Sequence, residues 1–282
     1  MNIKPLTTAI GAEIEGVDLS VALTDKQVDQ LMAAYRQHLV LFFRNQSLQP
    51  ADLVRFANLF GPVGIYPFAK PLDGHPEVVE IVKEPEQKTV FGGIWHTDSA
   101  YLENPSAASV LYSVEVPEVG GDTLFANMYL AWERLDDDLK ELIKTRVALH
   151  SSDKNRAVLR LDHLQTGSMQ ASEDARKDVK EAWHPLVRKH PQSQAASLYV
   201  SPAHTTSIRG IDDEKGQQLL ERLVQHALHD DHKCRFRWTE GTLAIWDNRC
   251  TLHYPVNDYH GVRRIVHRVT VEGERPTAYY WY

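Results

Sequence analysis

The segment that most constrains the fold is VRRIVHRVTV, residues 262–271, whose side chains alternate as they do along a β-strand. On such a strand Arg264 and Arg268 share one face, about 13 Å apart, while Arg263 and His267 share the other. The two guanidinium groups would therefore project at two depths into one interior. A buried arginine is costly without an anionic partner, so the pair predicts two anionic ligands or one dianion. The alternative is an internal ion pair between either arginine and a nearby aspartate or glutamate.

Apolar or alternating segments in both halves of the chain predict strands, with helices at a few places between them. The predicted strands span 39–43, 77–82, 108–116, 121–126, 233–238, 241–248 and 262–271. The predicted helices span 24–38, 50–61, 131–146 and 210–229. Because 43% of the 282 residues are hydrophobic, the chain can bury a sizeable core. These features predict a mainly β fold with flanking helices in a single domain, residues 1–282, and the polar segment 151–182 is expected to be an insertion or lid.

Charge and cysteine content narrow the class of partner. The formal net charge of −7 disfavours a general phosphate-binding surface, so no nucleic acid partner is expected. Cys234 and Cys250 form no CxxC pair, which disfavours a disulfide framework and favours a reducing cytoplasm. Residues 1–16 lack the apolar core of a signal peptide, and no apolar run approaches about 18 residues, so no membrane partner is expected.

The segment IWHTDSAY, residues 94–101, contains His96 and Asp98 two positions apart. If this segment is extended, both side chains project from one face and offer two ligands to a divalent metal. Two histidines and one carboxylate suit non-haem Fe(II), and His253, after a predicted strand, is the best third ligand. Catalytic zinc uses similar ligands, and a His-x-Asp pair taken alone is more often structural. Thr123, early in a predicted strand, can donate to a carboxylate, although threonine is also a common strand residue.

Four segments occur in a defined order: WHTD (95–98), VPEVGGDTLFANM (116–128), AIWDNRCTLH (244–253) and RRIVHR (263–268). Together with GAEIEGVDLS (11–20) and LVLFFRNQSL (39–48), they give nearly the whole chain a resemblance to the Fe(II)- and 2-oxoglutarate-dependent taurine dioxygenase family, which includes alkylsulfatases and aryloxyalkanoate dioxygenases. The resemblance implies a double-stranded β-helix, or cupin-like jelly roll. It implies an oxidoreductase that uses Fe(II), 2-oxoglutarate and O2 to hydroxylate a C–H bond of a small anion, giving succinate and CO2. That anion would be an aryloxyalkanoate, an alkyl sulfate ester or a sulfonate, and the enzyme would be a dimer or tetramer.

The resemblance also implies roles for individual residues. His96, Asp98 and His253 would bind Fe(II), while Thr123 and Arg264 would hold the distal carboxylate of 2-oxoglutarate. The alternatives are a taurine dioxygenase proper, a zinc hydrolase, or a non-catalytic jelly-roll binding protein. The paired arginines fit 2-oxoglutarate better than a hydrolase, and three intact ligands argue against a non-catalytic protein.

Other positions concern the prime substrate. Arg268 matches the family position that meets the anionic end of the substrate, and the backbone at Ser99 matches a further contact. Gly92 stands where taurine-specific members have an asparagine, and Tyr66 stands where they have a histidine, which puts taurine in doubt. Lys70 is either a second cation for the substrate or a solvated side chain.

Overall fold

The computed structural model describes residues 1–66, 69–154 and 179–280. The first strands are β1 (Asn2–Pro5), β2 (Ala12–Glu15), β3 (Val40–Phe43), β4 (Val63–Gly64), β5 (Pro71–Leu72), β6 (His75–Lys83), β7 (Ala108–Glu115), β8 (Thr123–Asn127) and β9 (Val147–Ser151). They are followed by β10 (Glu181–Pro185), β11 (Val187–Lys189), β12 (Ala196–Leu198), β13 (Thr205–Ile208), β14 (Lys233–Phe236), β15 (Leu243–Asp247), β16 (Thr251–Pro255), β17 (Arg264–Val271) and β18 (Thr277–Ala278). The helices are α1 (Asp25–His38), α2 (Pro50–Ala57), α3 (Met128–Glu133), α4 (Asp137–Ile143) and α5 (Asp213–Ala227).

Two facing sheets enclose the interior of the molecule. The large sheet has the order β1-β2-β3-β15-β7-β17-β6-β5, with β4 paired to β17, and the small sheet has the order β14-β8-β16. Aromatic side chains join the sheets, because Phe42 of β3 stacks on Phe236 of β14 with ring centroids 3.7 Å apart. Phe125 of β8 lies 5.7 Å from Trp246 of β15. This arrangement is the jelly roll that was predicted, with the functional strands β6, β8, β16 and β17 around one interior.

Helices cover the outside of the large sheet and of a second apolar cluster. The predicted helix 24–38 is confirmed as α1, which begins with the predicted capping box, since Thr24 and Gln27 exchange side-chain and backbone hydrogen bonds. Leu31, Ala34 and Tyr35 of this helix are buried in the core of the large sheet. The amphipathic pattern thus selects the face of the helix that packs inward.

Two helix predictions were wrong in their extent. The predicted helix 131–146 is two helices, because α3 ends at Glu133 and Asp136 begins a new helix as its N-cap. Asn127 starts α3 earlier than predicted by accepting hydrogen bonds from the backbone amides of Tyr129 and Leu130. The predicted helix 50–61 ends as an α-helix at Ala57.

Strands β9 and β10 flank the predicted insertion in sequence and pair with each other as antiparallel strands. Ser151, Glu181 and Ala182 belong to these strands, so both ends of the predicted segment 151–182 are part of a sheet. The rest of that prediction, residues 155–178, lies outside the described residues. In the part of the chain that the structure describes, no helix is long and apolar enough to cross a membrane.

Candidate active site

His96, Asp98 and His253 meet inside the jelly roll. Nε2 of His96 lies 3.7 Å from Oδ1 of Asp98, and Nε2 of His253 lies 4.0 Å from the same oxygen. Each side chain offers one ligand atom, and these three atoms lie within 4.8 Å of one another. All three residues are buried. The structure therefore brings together the three residues that the resemblance implied as metal ligands.

The backbone brings the two histidines together directly. His96 donates its backbone N–H to the carbonyl of His253 at 3.0 Å and accepts the reciprocal bond at 2.8 Å. His96 and Asp98 were expected to project together if the segment is extended; the two side chains do lie together, but His96 forms an isolated β-bridge with His253 and residues 98–101 form a turn. Ser99 has a φ of +56° in that turn, a left-handed conformation that a non-glycine residue seldom adopts. The Asp98 carboxylate therefore meets the two imidazoles from a turn and not from a strand.

The donor set fits a divalent metal. Nδ1 of His96 lies 2.6 Å from the carbonyl of Ile94, and a proton on Nδ1 leaves the Nε2 lone pair free for a metal. Burial lowers the pKa of both His96 and His253, so both imidazoles are neutral at neutral pH. Burial opposes ionisation of Asp98, but the charge of Arg268 and the hydrogen bond from Ser109 hold the pKa of the carboxyl well below its usual value. Neutral imidazole and ionised carboxylate are the forms that bind a metal.

Supporting residues that the sequence analysis missed hold Asp98 in place. Ser109 donates its hydroxyl to Oδ2 of Asp98 at 2.5 Å, and Asn248 donates its side-chain amide to Ser109 at 3.0 Å. Thr97 donates its hydroxyl to the backbone carbonyl of Asn248 at 2.6 Å. Ligand-orienting contacts of this kind commonly affect metal affinity as ligands do. The only sequence signal was the WDN triplet before His253, whose asparagine had no assigned role.

A second buried group of potential ligands, His190, Asp247 and Cys250, has a structural role instead. Arg249 forms hydrogen bonds to both carboxylate oxygens of Asp247, through Nε at 2.8 Å and Nη2 at 2.7 Å. Nε2 of His190 lies 3.1 Å from the same carboxylate. These contacts compensate the Asp247 charge and stabilise the turn between β15 and β16.

One cavity brings together the three candidate ligands and three of the other seven predicted site residues. Its lining includes His96, Asp98, His253, Thr123, Arg264 and Arg268. Thr123 accepts a hydrogen bond from the indole N–H of Trp238 at 2.9 Å, which leaves its own proton available to a ligand. Arg264 is buried, interacts with the hydroxyl of Tyr259, and pairs with no acidic residue among those described.

The two arginines of β17 have different surroundings. Nη2 of Arg268 lies 3.1 Å from Oδ2 of Asp98, so the alternative of an internal ion pair holds for Arg268 but not for Arg264. The guanidinium of Arg268 also lies 4.9 Å from the ring centroid of Tyr66. Arg268 therefore supports a candidate metal ligand while lining the cavity.

The remaining predicted substrate residues lie around this centre. Tyr66 and Ser99 line an adjoining cavity, which also includes Asn104 and Ser106. Lys70 is exposed and lines neither cavity. Gly92 has a φ of +71° and lies against the ring of His96.

Gly92→Ala is expected to weaken metal binding roughly 10- to 100-fold, the range seen when support of a metal ligand is lost. A Cβ at this position would lie 2.7 Å from Cε1 of His96, so the imidazole must move. Gly74→Ala is the matched control, because Gly74 has a similar φ of +78° but nothing within 4 Å of the added carbon. Mn(II) titration of both variants measures the effect, and equal affinities would contradict the role of Gly92.

Comparison with known proteins agrees with this geometry. The family model described as "Taurine catabolism dioxygenase TauD, TfdA family" matches residues 2–270. A Pseudomonas putida protein named alpha-ketoglutarate-dependent sulfate ester dioxygenase is 35% identical over 279 residues, which cover 99% of this chain and 91% of the relative. An alkylsulfatase from Acinetobacter baylyi is 33% identical over 280 residues, covering 99% and 87%. The solved structure of a taurine dioxygenase from Burkholderia xenovorans has a TM-score of 0.82 at 35% identity, covering 98% of this chain and 92% of that one.

A jelly roll whose interior holds two histidines, one carboxylate and two buried arginines defines the class of non-haem iron dioxygenases that depend on 2-oxoglutarate. The chain belongs to the TauD/TfdA family of these enzymes. The class uses Fe(II), 2-oxoglutarate and O2, and the donor set described above fits the metal. The family, fold class and reaction class expected from the sequence are thereby confirmed.

Proposed function

We propose that the protein hydroxylates a small organic anion, with an alkyl sulfate ester as the first class of substrate, and that it does so at His96, Asp98 and His253. The observation that supports this is the pair of buried guanidinium groups, Arg264 and Arg268, on one face of β17 in the same cavity as the candidate ligands. Two relatives at 33% and 35% identity are named for sulfate esters, which favours that class.

The chain's own residues bind and orient both organic reactants. His96, Asp98 and His253 would hold Fe(II), which supplies, when bound with 2-oxoglutarate and O2, the oxidation that yields succinate, CO2 and a hydroxylated substrate. Thr123 would donate its hydroxyl to the distal carboxylate of the keto acid, and Arg264 would pair with it. Holding that end orients the keto acid before the reaction. The apolar lining of the cavity, Val90, Leu111 and Val266 among it, would exclude water.

Arg268 would position the prime substrate through its anionic group. Asp98 compensates part of the Arg268 charge, and the guanidinium has further N–H groups for a sulfate oxygen. This would hold the carbon next to the ester oxygen close to the metal. Hydroxylation of that carbon gives R–CH(OH)–OSO3⁻, in which cleavage of the C–O bond to sulfate and loss of the hydroxyl proton yield an aldehyde and hydrogen sulfate.

The proposed function is tested by measuring succinate from the Fe(II)-loaded protein with 2-oxoglutarate, ascorbate and O2. Alkyl sulfate esters, sulfonates and aryloxyalkanoates are supplied one class at a time. We expect succinate and sulfate in equal amounts with a sulfate ester. Succinate with another class instead would overturn the sulfate ester assignment, and none from iron-loaded protein with any class would contradict the proposed function.

Arg268→Met is expected to lower turnover of the prime substrate by about 100-fold, the scale of losing a buried hydrogen-bonded charge. Affinity for N-oxalylglycine, an unreactive analogue of 2-oxoglutarate, should stay within a few-fold of wild type, because Arg264 is unchanged. Metal content is measured in parallel, since Arg268 contacts Asp98. Loss of N-oxalylglycine affinity with intact substrate turnover would show that the roles of the two arginines are exchanged.

We also propose a cytoplasmic enzyme that assembles as a dimer or tetramer, in keeping with the family. Light scattering coupled to size-exclusion chromatography measures the assembly, and a monomer at micromolar concentration would contradict it.

A further inference from the structure

Lys83 is a buried cation to which neither the sequence motifs nor the proposed function assigns a role. It is the last residue of β6, where Ile81 and Lys83 both face the cavity. Only 2% of Lys83 is exposed, and its ammonium group has no hydrogen-bond acceptor among the described residues. Lysine is almost never this buried unless it is paired, because removing its charge from water is costly.

The strand register makes this cation more unusual. Lys83 lies directly opposite Arg264 in the antiparallel pair of β6 and β17, and both side chains line the same cavity. Like charges directly opposite each other on neighbouring strands destabilise a sheet. Among the described residues that line the cavity, the single acidic one is Asp98, which is already paired with Arg268. Lys83 and Arg264 therefore form a buried like-charge pair without a carboxylate between them in the described part of the protein.

The side chain of Tyr259 offsets the repulsion between these two cations only in part. The ammonium of Lys83 lies 4.5 Å from the ring centroid of Tyr259, in a cation–π contact, while the hydroxyl of the same tyrosine interacts with Arg264. A ring face attracts positive charge but provides no good acceptor for the three N–H groups of the ammonium. Tyr259 thus contacts both Lys83 and Arg264 in the cavity. N–H donors of both side chains remain available to a ligand.

We propose that Lys83 is a second cationic anchor for the distal carboxylate of 2-oxoglutarate, which it would bind together with Arg264 and Thr123. The inference rests on the proposed function, because it adopts the assignment of Arg264 to that carboxylate. A carboxylate has two oxygens and about four acceptor positions, enough for a guanidinium, a hydroxyl and an ammonium. Its negative charge relieves the repulsion between Lys83 and Arg264, so ligand binding and stability are coupled at this point.

The test measures the affinity of N-oxalylglycine for Mn(II)-loaded protein by calorimetry, without turnover. Lys83→Met is expected to weaken binding about 10- to 100-fold, the loss expected for hydrogen bonds to a charged group. Lys83→Arg keeps the charge and should lose less. Lys88→Met is the matched control, because Lys88 is exposed in the following loop and should bind as wild type does.

A second readout separates this role from a purely structural one. In the absence of keto acid, Lys83→Met removes a buried like charge and should leave the melting temperature unchanged or higher. A lower melting temperature with unchanged affinity would overturn the proposal and assign Lys83 to packing against Tyr259. Lys83→Gln provides a second neutral variant if the methionine protein does not fold.

Arg264→Met distinguishes failure of the inference from failure of the proposed function. If Arg264→Met weakens N-oxalylglycine binding and Lys83→Met does not, only the inference about Lys83 is wrong. If neither variant weakens binding, the distal carboxylate is held elsewhere and the proposed assignment of Arg264 is wrong as well.

Discussion

His253→Ala is expected to leave the purified protein without Fe(II) and to lower turnover by about 1,000-fold or more, since losing only the support of a ligand already costs about 10- to 100-fold. In the proposed site the imidazole of His253 would supply the third donor, 4.0 Å from Oδ1 of Asp98. Without it, His96 and Asp98 alone would hold the metal, and two donors rarely retain Fe(II) through dialysis. Metal analysis of the dialysed protein and succinate formation measure the two effects.

A matched control comes from a histidine on the opposite side of the sheet. His267 lies on the outer face of β17, where its Nε2 is 3.2 Å from Glu80. His267→Ala should retain Fe(II) and turnover, because this contact lies outside the cavity. If His253→Ala instead bound stoichiometric iron and turned over normally, the assignment of this ligand would be wrong.

Local patterns in the sequence were sufficient for the strands that build the site. The predicted strand 262–271 corresponds to β17, Arg264–Val271, and the predicted strand 77–82 lies within β6, His75–Lys83. In both segments, alternation between inward and outward side chains indicates a β-strand. The same reasoning failed for helix 131–146, because periodicity continues across the break. The first helix already ends at Glu133, and Asp136 is the N-cap of the next helix.

Only the site residues that lie in a recognised motif could be predicted from the sequence. The resemblance predicted His96, Asp98 and His253 as one ligand set, whereas strand alternation could not predict the turn at residues 98–101, in which Ser99 has a positive φ. Contacts between strands that are distant in sequence could not be predicted from local patterns. Lys83 and Arg264 lie opposite each other because of the register between β6 and β17, which are about 180 residues apart in sequence.

Arg264→Met is expected to raise the 2-oxoglutarate concentration needed for half-maximal rate by about 100-fold, the scale of breaking a buried charge pair. Methionine preserves much of the apolar length of the side chain, so the change is mainly the loss of the guanidinium. Arg264 is the strongest candidate for an effect on the co-substrate, because it is buried in the cavity and has no acidic partner among the described residues. The affinity for the prime substrate, measured at saturating 2-oxoglutarate, should change little.

The adjacent residue provides the control for this prediction. Arg263 immediately precedes β17; its side chain is exposed and pairs with Glu84 at 3.1 Å and with Glu115 at 3.4 Å. Arg263→Met removes the same group from the neighbouring residue and should leave the requirement for 2-oxoglutarate within about twofold, since exposed ion pairs contribute little. Both variants lose the same chemical group, so any difference between them comes from its position. Only the arginine inside the cavity can reach the keto acid. Equal effects of the two substitutions would show that β17 tolerates neither change, and that the charge of Arg264 is not what binds the co-substrate.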